Sequence, residues 1–401
     1  MSIIEHIILF LLLFSFYAFW GKYYANKSDI AFWQAAIIPI LLYTGIVGSR
    51  YGWGADYLWY RVQYENPVAM ESTQWAFLYL NKILNIIGFN YVGAFMIYAL
   101  IFIFCAFVFL RSFGETSAYM YAFLIPATLI NITSFPRQAL GISFIILALG
   151  FFNNRKWLLM AISVFIAYNF HTAVIFPLIL ILGIKFIFRK PIHYWVSIPL
   201  YILGTFVLDP YFVGTIMQSI MDTLGAYLGF IGRLQQYLTN SDQYFGTDAI
   251  SDQYAQSKLM LFLSSLFYIL IFYLGYKALM IRENKHVLYM YNTVVLGTIL
   301  LRMLYLFELY RRIMDIMAML YFIPLGYIFY VYFKDCKLPD NYVAFRFKKK
   351  FSVGMVLIVL VLIYDWQKFL FFNPYADFFW HHLDDVIINT FNVNDYNPFV
   401  K

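Results

Sequence analysis

The chain is 401 residues long, 63% apolar and only 12% charged, with a mean hydropathy of +0.71. So few charges cannot cover the surface of a water-soluble domain of this size, which excludes that class. The formal charge of +7 does not point to nucleic acid, because Lys and Arg are spread over many loops instead of sharing one face.

Apolar runs fall at 3–20, 31–49, 91–110, 117–133, 137–152, 156–170, 172–188, 192–208, 258–276, 287–303, 313–333 and 351–367. Each approaches the ~20 residues a helix needs to cross ~30 Å of hydrocarbon. The expected fold class is therefore all-α: a polytopic membrane protein of about twelve transmembrane helices, forming a single integral membrane domain over 1–401. The first run carries Glu5 where a signal peptide has Lys or Arg, and no small-residue cleavage site follows, so it reads as the first membrane helix. Between the second and third runs lies a long segment, 50–90, whose part at 74–87 places Trp75, Leu78, Leu80, Ile83, Leu84 and Ile87 at near-helical spacing. That spacing predicts an amphipathic helix in the membrane interface. A second long segment, 209–257, starts apolar and turns polar, with Asp242, Asp248 and Asp252. It predicts a re-entrant or interfacial helix followed by a loop. A third, the tail 369–401, mixes aromatic residues with Asp384, Asp385 and Asp395. The two cysteines, Cys105 in an apolar run and Cys336 in a basic loop, suit neither a disulfide nor a zinc site.

Alternate loops separate by charge. One set holds Lys22, Lys27, Arg111, Arg155, Lys156, Lys185, Arg189, Lys190, Lys277, Arg282 and Lys285, then the tract from Lys334 to Lys350. It contains 17 of the 28 basic residues against 5 of the 21 acids. The positive-inside rule puts this set in the cytoplasm and both termini outside. That is the layout of a multi-pass protein of the bacterial inner membrane whose chemistry sits at the outer, periplasmic face.

At that face a few ionisable groups stand at span ends, where such a group is a site hypothesis by default. Arg137 follows Phe135-Pro136 at the start of a span, with Gln138 next. Proline suits a first helical turn. The free N–H groups of a helix start favour an anion, and Arg adds a bidentate phosphate donor. Glu308, Arg311, Arg312 and Asp315, with Arg302 further back, form either an ion-pair stripe or a second diphosphate clamp. The segment Arg50-Tyr51-Gly52-Trp53-Gly54-Ala55-Asp56-Tyr57, with Tyr60 and Arg61, brings a carboxylate and aromatic faces to a glycine-rich turn, a combination common in carbohydrate sites. His171, in a tight turn, is placed to take a proton from a hydroxyl. His381, His382, Asp384 and Asp385 have ligand-like spacing in the tail, but no metal and no cofactor is expected. Nucleotide-binding, serine-hydrolase and zinc-protease motifs are missing from the sequence.

Taken in order, these stretches resemble the EpsG-like, Wzy-type repeat-unit polymerases of O-antigen, capsule and exopolysaccharide. The likeness rests on Arg50 with Gly54-Ala55-Asp56-Tyr57 and Tyr60, Glu71, Pro136-Arg137-Gln138, His171-Thr172 and Asn373-Pro374-Tyr375. Gly-Ala-Asp stands where that family leads one to expect Gly-Thr-Asp. The resemblance implies a glycosyltransferase-C-like membrane fold that joins oligosaccharide repeat units carried on undecaprenyl diphosphate at the outer leaflet. The implied partners are the lipid-linked donor and acceptor, membrane lipid, a chain-length regulator and a flippase, with no nucleic acid. On that reading Arg50, Arg137, Arg311 and Arg312 bind diphosphate. Asp56, His171 or Glu308 serves as catalytic base, and Tyr57, Tyr60 and Gln138 contact sugar. The competing readings are a lipid-linked oligosaccharide flippase, whose functional charges belong near the membrane midplane, and a transferase of single sugars from a polyprenyl phosphate.

Overall fold

The computed structural model describes residues 3–50, 54, 56–66, 74–228 and 258–334, with scattered positions between 352 and 362. The regular elements among these residues are helical. Among the described residues, five helices are long and apolar enough to cross a membrane: Asp29–Gly48, Tyr91–Arg111, Pro136–Asn153, Leu261–Ile281 and Tyr310–Lys334. A sixth span results if the bent pair Tyr194–Val207 and Tyr211–Ser219 is counted as one. The apolar runs at 117–133, 156–170 and 172–188 do form helices, but of 15, 14 and 13 residues. At 1.5 Å per residue these reach only ~20–22 Å, short of the hydrocarbon thickness. The chain divides into two compact units, 1–175 with 362–401, and 176–361.

The first unit contains α1 (Ile3–Tyr24), α2 (Asp29–Gly48), α3 (Tyr57–Glu65), α4 (Trp75–Ile87), α5 (Tyr91–Arg111), α6 (Met120–Ser134), α7 (Pro136–Asn153) and α8 (Trp157–Phe170). Its core is α5 and α7, which are buried along most of their length. Backbone groups freed inside apolar helices must find other partners. Pro39 in α2 has no N–H to give the carbonyl of Ala35. The Trp20 indole of α1 donates to that carbonyl instead, at 3.1 Å, and the Tyr17 hydroxyl donates to Pro39 O at 2.6 Å.

Helix direction sorts the charges of this unit. Arg111, ending α5, meets Asp29, which starts α2, so α2 and α5 run antiparallel. Asn153, ending α7, donates to Ser112 Oγ at 3.0 Å, so α7 runs with α5. Lys22, Lys27, Asp29, Arg111, Arg155 and Lys156 therefore gather at one end, and Arg50, Asp56, Arg61, Arg137 and His171 at the other.

The amphipathic helix predicted at 74–87 is α4. Phe77, Leu84 and the amide of Asn81 face the core, while Trp75, Tyr79, Ile83 and Ile86 form an outward apolar stripe. Asn81 is tolerated inside because the buried Tyr98 hydroxyl donates to its Oδ1. The nine-residue α3 was not expected from the sequence.

The second unit contains most of α9 (Ile175–Ile187), then α10 (Tyr194–Ile202), α11 (Pro210–Leu228), α12 (Lys258–Ile281), α13 (Lys285–Met303), α14 (Glu308–Ala318) and α15 (Phe322–Lys334). A π turn at Leu203–Val207 ends α10, and the chain then bends by 105° into α11. This is the helix expected at the start of 209–257; the rest of that segment lies outside the described residues, as does the tail 369–401. α13 is buried on nearly every side. Arg282, ending α12, lies over the Tyr330 ring at 5.3 Å, and Lys334, ending α15, over the same ring at 5.4 Å. α14 and α15 are joined through a 3₁₀ turn at Met319–Tyr321. Pro324, which cannot donate to the carbonyl of residue 320, accounts for the tightening there.

Candidate functional site

The glycine-rich segment and the turn between α6 and α7 are packed into one piece. Gly54 has φ +107, a conformation that side-chain-bearing residues rarely adopt, and a Cβ there would collide with the Thr133 carbonyl. Only glycine lets the segment lie so close to the end of α6. Arg50 fastens the same junction from its other side. Only 1% exposed, it donates from Nη1 to Val47 O at 2.9 Å, and from Nη2 to Thr133 O at 3.2 Å and Ile132 O at 3.4 Å. Its guanidinium carbon stands 4.8 Å from the Phe95 ring and 5.9 Å from that of Tyr57. Burial pulls its pKa down to about 10, and the neighbouring tyrosines act in the opposite direction, so it is a cation at neutral pH.

Asp56 starts α3 as its N-cap residue, its carbonyl accepting from Tyr60 N at 3.0 Å. Tyr57 and Tyr60 are buried, Tyr57 edge-on to Tyr91 and Phe95, Tyr60 edge-on to Phe77. Both rings thus pack into the helix bundle. Tyr51, Gly52, Trp53, Ala55 and Glu71 lie outside the described residues.

Three residues beyond Ser134, Arg137 occupies the first turn of α7 behind Pro136, after a non-helical Phe135 (φ −130, ψ 63). Ala139 N already bonds Phe135 O at 2.8 Å, which leaves the N–H groups of Arg137 and Gln138 as the helix start's outward donors. No side chain caps them. Arg137 is half-buried, and its Nε is sealed from solvent without a hydrogen-bond acceptor. Gln138 beside it is 6% exposed.

His171 reaches the same helix from α8. A Cβ on Gly141 would stand 3.0 Å from His171 Cβ, so α7 carries glycine where the histidine packs. Gly141 is four residues after Arg137 and therefore on the same face of α7, one turn away. His171 therefore packs on α7 one turn from the position of Arg137. His171 ends α8 in extended backbone (φ −159, ψ 107), its N–H bonded to Ala167 O at 2.9 Å.

Sequence reading gave Arg61 no role, yet it is the second buried arginine of the segment, at 2% exposure. Nε donates to Glu65 Oε1 at 3.2 Å, one helical turn on, and the guanidinium carbon lies 4.6 Å over the Tyr91 ring. Nη1 and Nη2 are both buried without an acceptor. Each unmet donor of this kind costs about 1–3 kcal/mol or more. Burial pushes the Glu65 carboxyl above its usual range, and Arg61 pulls it part of the way back. The i,i+4 spacing of Arg61 and Glu65 was the available signal, but only with α3 recognised.

In the second unit, Arg302 is buried at the end of α13. It donates from Nε to the Tyr201 hydroxyl at 3.0 Å and from Nη2 to Ser264 Oγ at 2.6 Å, tying α13 to α10 and α12. The Tyr305 ring lies between two guanidiniums, 5.5 Å from that of Arg302 and 6.0 Å from that of Arg311. Arg311, Arg312 and Asp315 follow on α14, all half-buried. Glu308 opens α14, and its side chain lies outside the described residues. Among the described residues no group of three or more His, Cys, Asp or Glu could hold a metal ion; the His381–Asp385 stretch falls outside them.

A helix start and an arginine with an unmet donor, with His171 packed one turn along the same helix, are chemically suited to a concentrated negative charge. The family model described as "EpsG family" matches residues 33–376. No curated protein and no solved structure matches the chain.

Proposed function

We propose, from the premise that this chain belongs to the EpsG family and is a membrane protein of polysaccharide biosynthesis, that it joins lipid-linked oligosaccharide repeat units at the outer face of the bacterial inner membrane. The donor, carried on undecaprenyl diphosphate, is already activated. The anomeric carbon–oxygen bond to the diphosphate breaks, and a hydroxyl of the next lipid-linked unit forms the new glycosidic bond. The hydroxyl proton goes to a base, and the lipid diphosphate leaves. Charge builds on the leaving oxygen as the bond breaks, so a fixed cation aimed there lowers the barrier more than it tightens ground-state binding.

The observation that carries this reading is the state of Arg137. A partly buried cation with an unmet donor, on a helix start whose own N–H groups face out, is prepared for an anion. His171, one turn along the same face, is the base this geometry favours. Arg50, held by three carbonyls, positions the loop of Asp56 against the α6–α7 turn. For Arg311 and Arg312 the proposal keeps the diphosphate-binding role that the family resemblance implies.

The experiment is product analysis in two settings. A strain lacking the protein should accumulate single repeat units on an intact lipid carrier. The purified protein in nanodiscs should convert such units to a ladder. A protein that moves units across a bilayer without elongating them, or adds one sugar and stops, overturns the proposal.

A further inference from the structure

Arg61 is a buried cation of the first unit for which the proposed transfer has no task. It lies on the inner face of α3, under a helix whose outer face shows Trp59 and Val62 to the surroundings. One edge of its guanidinium is engaged, through Nε on Glu65 Oε1. Its flat face is covered by Tyr91. The remaining edge, Nη1 and Nη2, is buried with no acceptor on either nitrogen. Glu65 Oε2 is likewise buried without a donor, so the carboxylate does not reach round to that edge. Two parallel N–H donors in a rigid plane match two oxygens of one carboxylate or phosphate group. A lone surface arginine would satisfy itself with water; this one is 2% exposed.

The same segment carries Asp56 and Gly54, and Gly54 lies against the turn that presents Arg137. We infer that the free edge of Arg61 is a second oxyanion subsite, which takes a two-oxygen anionic group on the saccharide itself, so that the preferred repeat unit is acidic. The inference rests on the proposed function only for the identity of the molecule that bears the oxyanion. Glu65 and Tyr91 are positioning residues here: one holds Nε and the other fixes the plane, and together they aim the free edge.

The test uses the full-length protein in nanodiscs and reads ligand-induced shifts in thermal unfolding. The probes are glucuronate, glucose, inorganic phosphate and inorganic pyrophosphate at millimolar concentration. Wild type should be stabilised by glucuronate and not by glucose. R61K keeps a cation for Glu65 and Tyr91 but lacks the two-pronged edge, so its apparent affinity for glucuronate should fall at least tenfold. R61Q should lose the response altogether; should it fail to fold, R61K carries the comparison. A tenfold loss in R61K toward phosphate, with glucuronate inert, supports the subsite and assigns its oxyanion to a phosphate ester. Equal responses of wild type and R61K to every oxyanion overturn it. Pyrophosphate binding compared between wild type and R137A tests the diphosphate assignment alone, so the two ideas fail separately.

Discussion

Arg111 and Arg137 belong to the same unit, at opposite ends of it, and their surroundings differ in every respect that bears on function. Arg111 is surrounded by acceptors: Asp29 Oδ1 at 3.0 Å, Ala25 O at 2.7 Å and Lys27 O at 2.5 Å, with Phe32 under its face at 4.6 Å. It ties the α1–α2 turn to the end of α5 through four hydrogen bonds. Arg137 has a buried donor with no acceptor, and a helix start adds further donors beside it. Completeness marks an arginine that holds the fold. An unmet donor, kept up against a cost of about 1–3 kcal/mol per group, is the feature on which a ligand role for Arg137 is proposed. Arg50 resembles Arg111 in being held by backbone carbonyls, and the family resemblance implies diphosphate binding for it as for Arg137.

The contrast breaks most easily at Arg137 itself. Arg137→Ala should lower the elongation rate by about 10²–10³-fold, the loss expected for one transition-state donor. It should leave the unfolding temperature in detergent within error, because no partner is orphaned. Polymer of normal length from cells carrying this variant would end the distinction between the two arginines.

Next in size is Gly54→Ala. The φ of +107 and the collision with the Thr133 carbonyl should cost about 1–3 kcal/mol of backbone strain, plus the displacement of the α6–α7 turn. Folded yield and elongation should fall together, measured by fluorescence-detected size exclusion and product ladders. A variant that folds normally and elongates fully would separate the glycine segment from the Arg137 turn.

Arg111→Ala should act in the opposite sense to Arg137→Ala. Losing charge-assisted bonds, at about 1.5–3 kcal/mol each, discounted for the exposure of Asp29 to water, should lower thermal stability while turnover per folded molecule stays near wild type. The smallest effect is expected at Gly141→Ala, where the new Cβ meets His171 Cβ at 3.0 Å. A shift of a few tenths of an ångström should cost about 1 kcal/mol or less in stability and lower elongation several-fold through the displaced imidazole. An elongation rate equal to wild type would place His171 outside the chemistry.

How much of this was legible in the chain varies with the range of the interaction. The α4 helix could be read at 74–87 because its apolar spacing is local, and α7 because Pro136 and the apolar run after it are local signals. The three short helices α6, α8 and α9 read as full spans, since a run of apolar residues shows where a helix forms but not how many of its residues wind. α3 escaped notice: nine residues rich in tyrosine carry little apolar period, and tertiary contacts hold it, such as the Tyr64 hydroxyl on Phe89 O at 2.8 Å.

Hydropathy alone determined that this chain is helical and suited to a membrane, because only self-satisfied backbone survives in hydrocarbon. Motif order alone pointed to its family. Within the first unit the charge alternation read from the loops also matches the two ends of the helices. The fate of each arginine was decided by the tertiary structure. Arg50 and Arg137 sit at helix ends and Arg61 midway along the short α3, and nothing local tells apart which of them finds acceptors. Arg50 is fastened because the carbonyl of Thr133, 83 residues away, comes within 3.2 Å. Arg61 and Arg137 keep unmet donors because no acceptor arrives. Hydrogen bonding acts over a few ångströms in space and takes no account of distance along the chain, so only the folded arrangement distinguishes the arginine that fastens from the arginine that keeps an unmet donor.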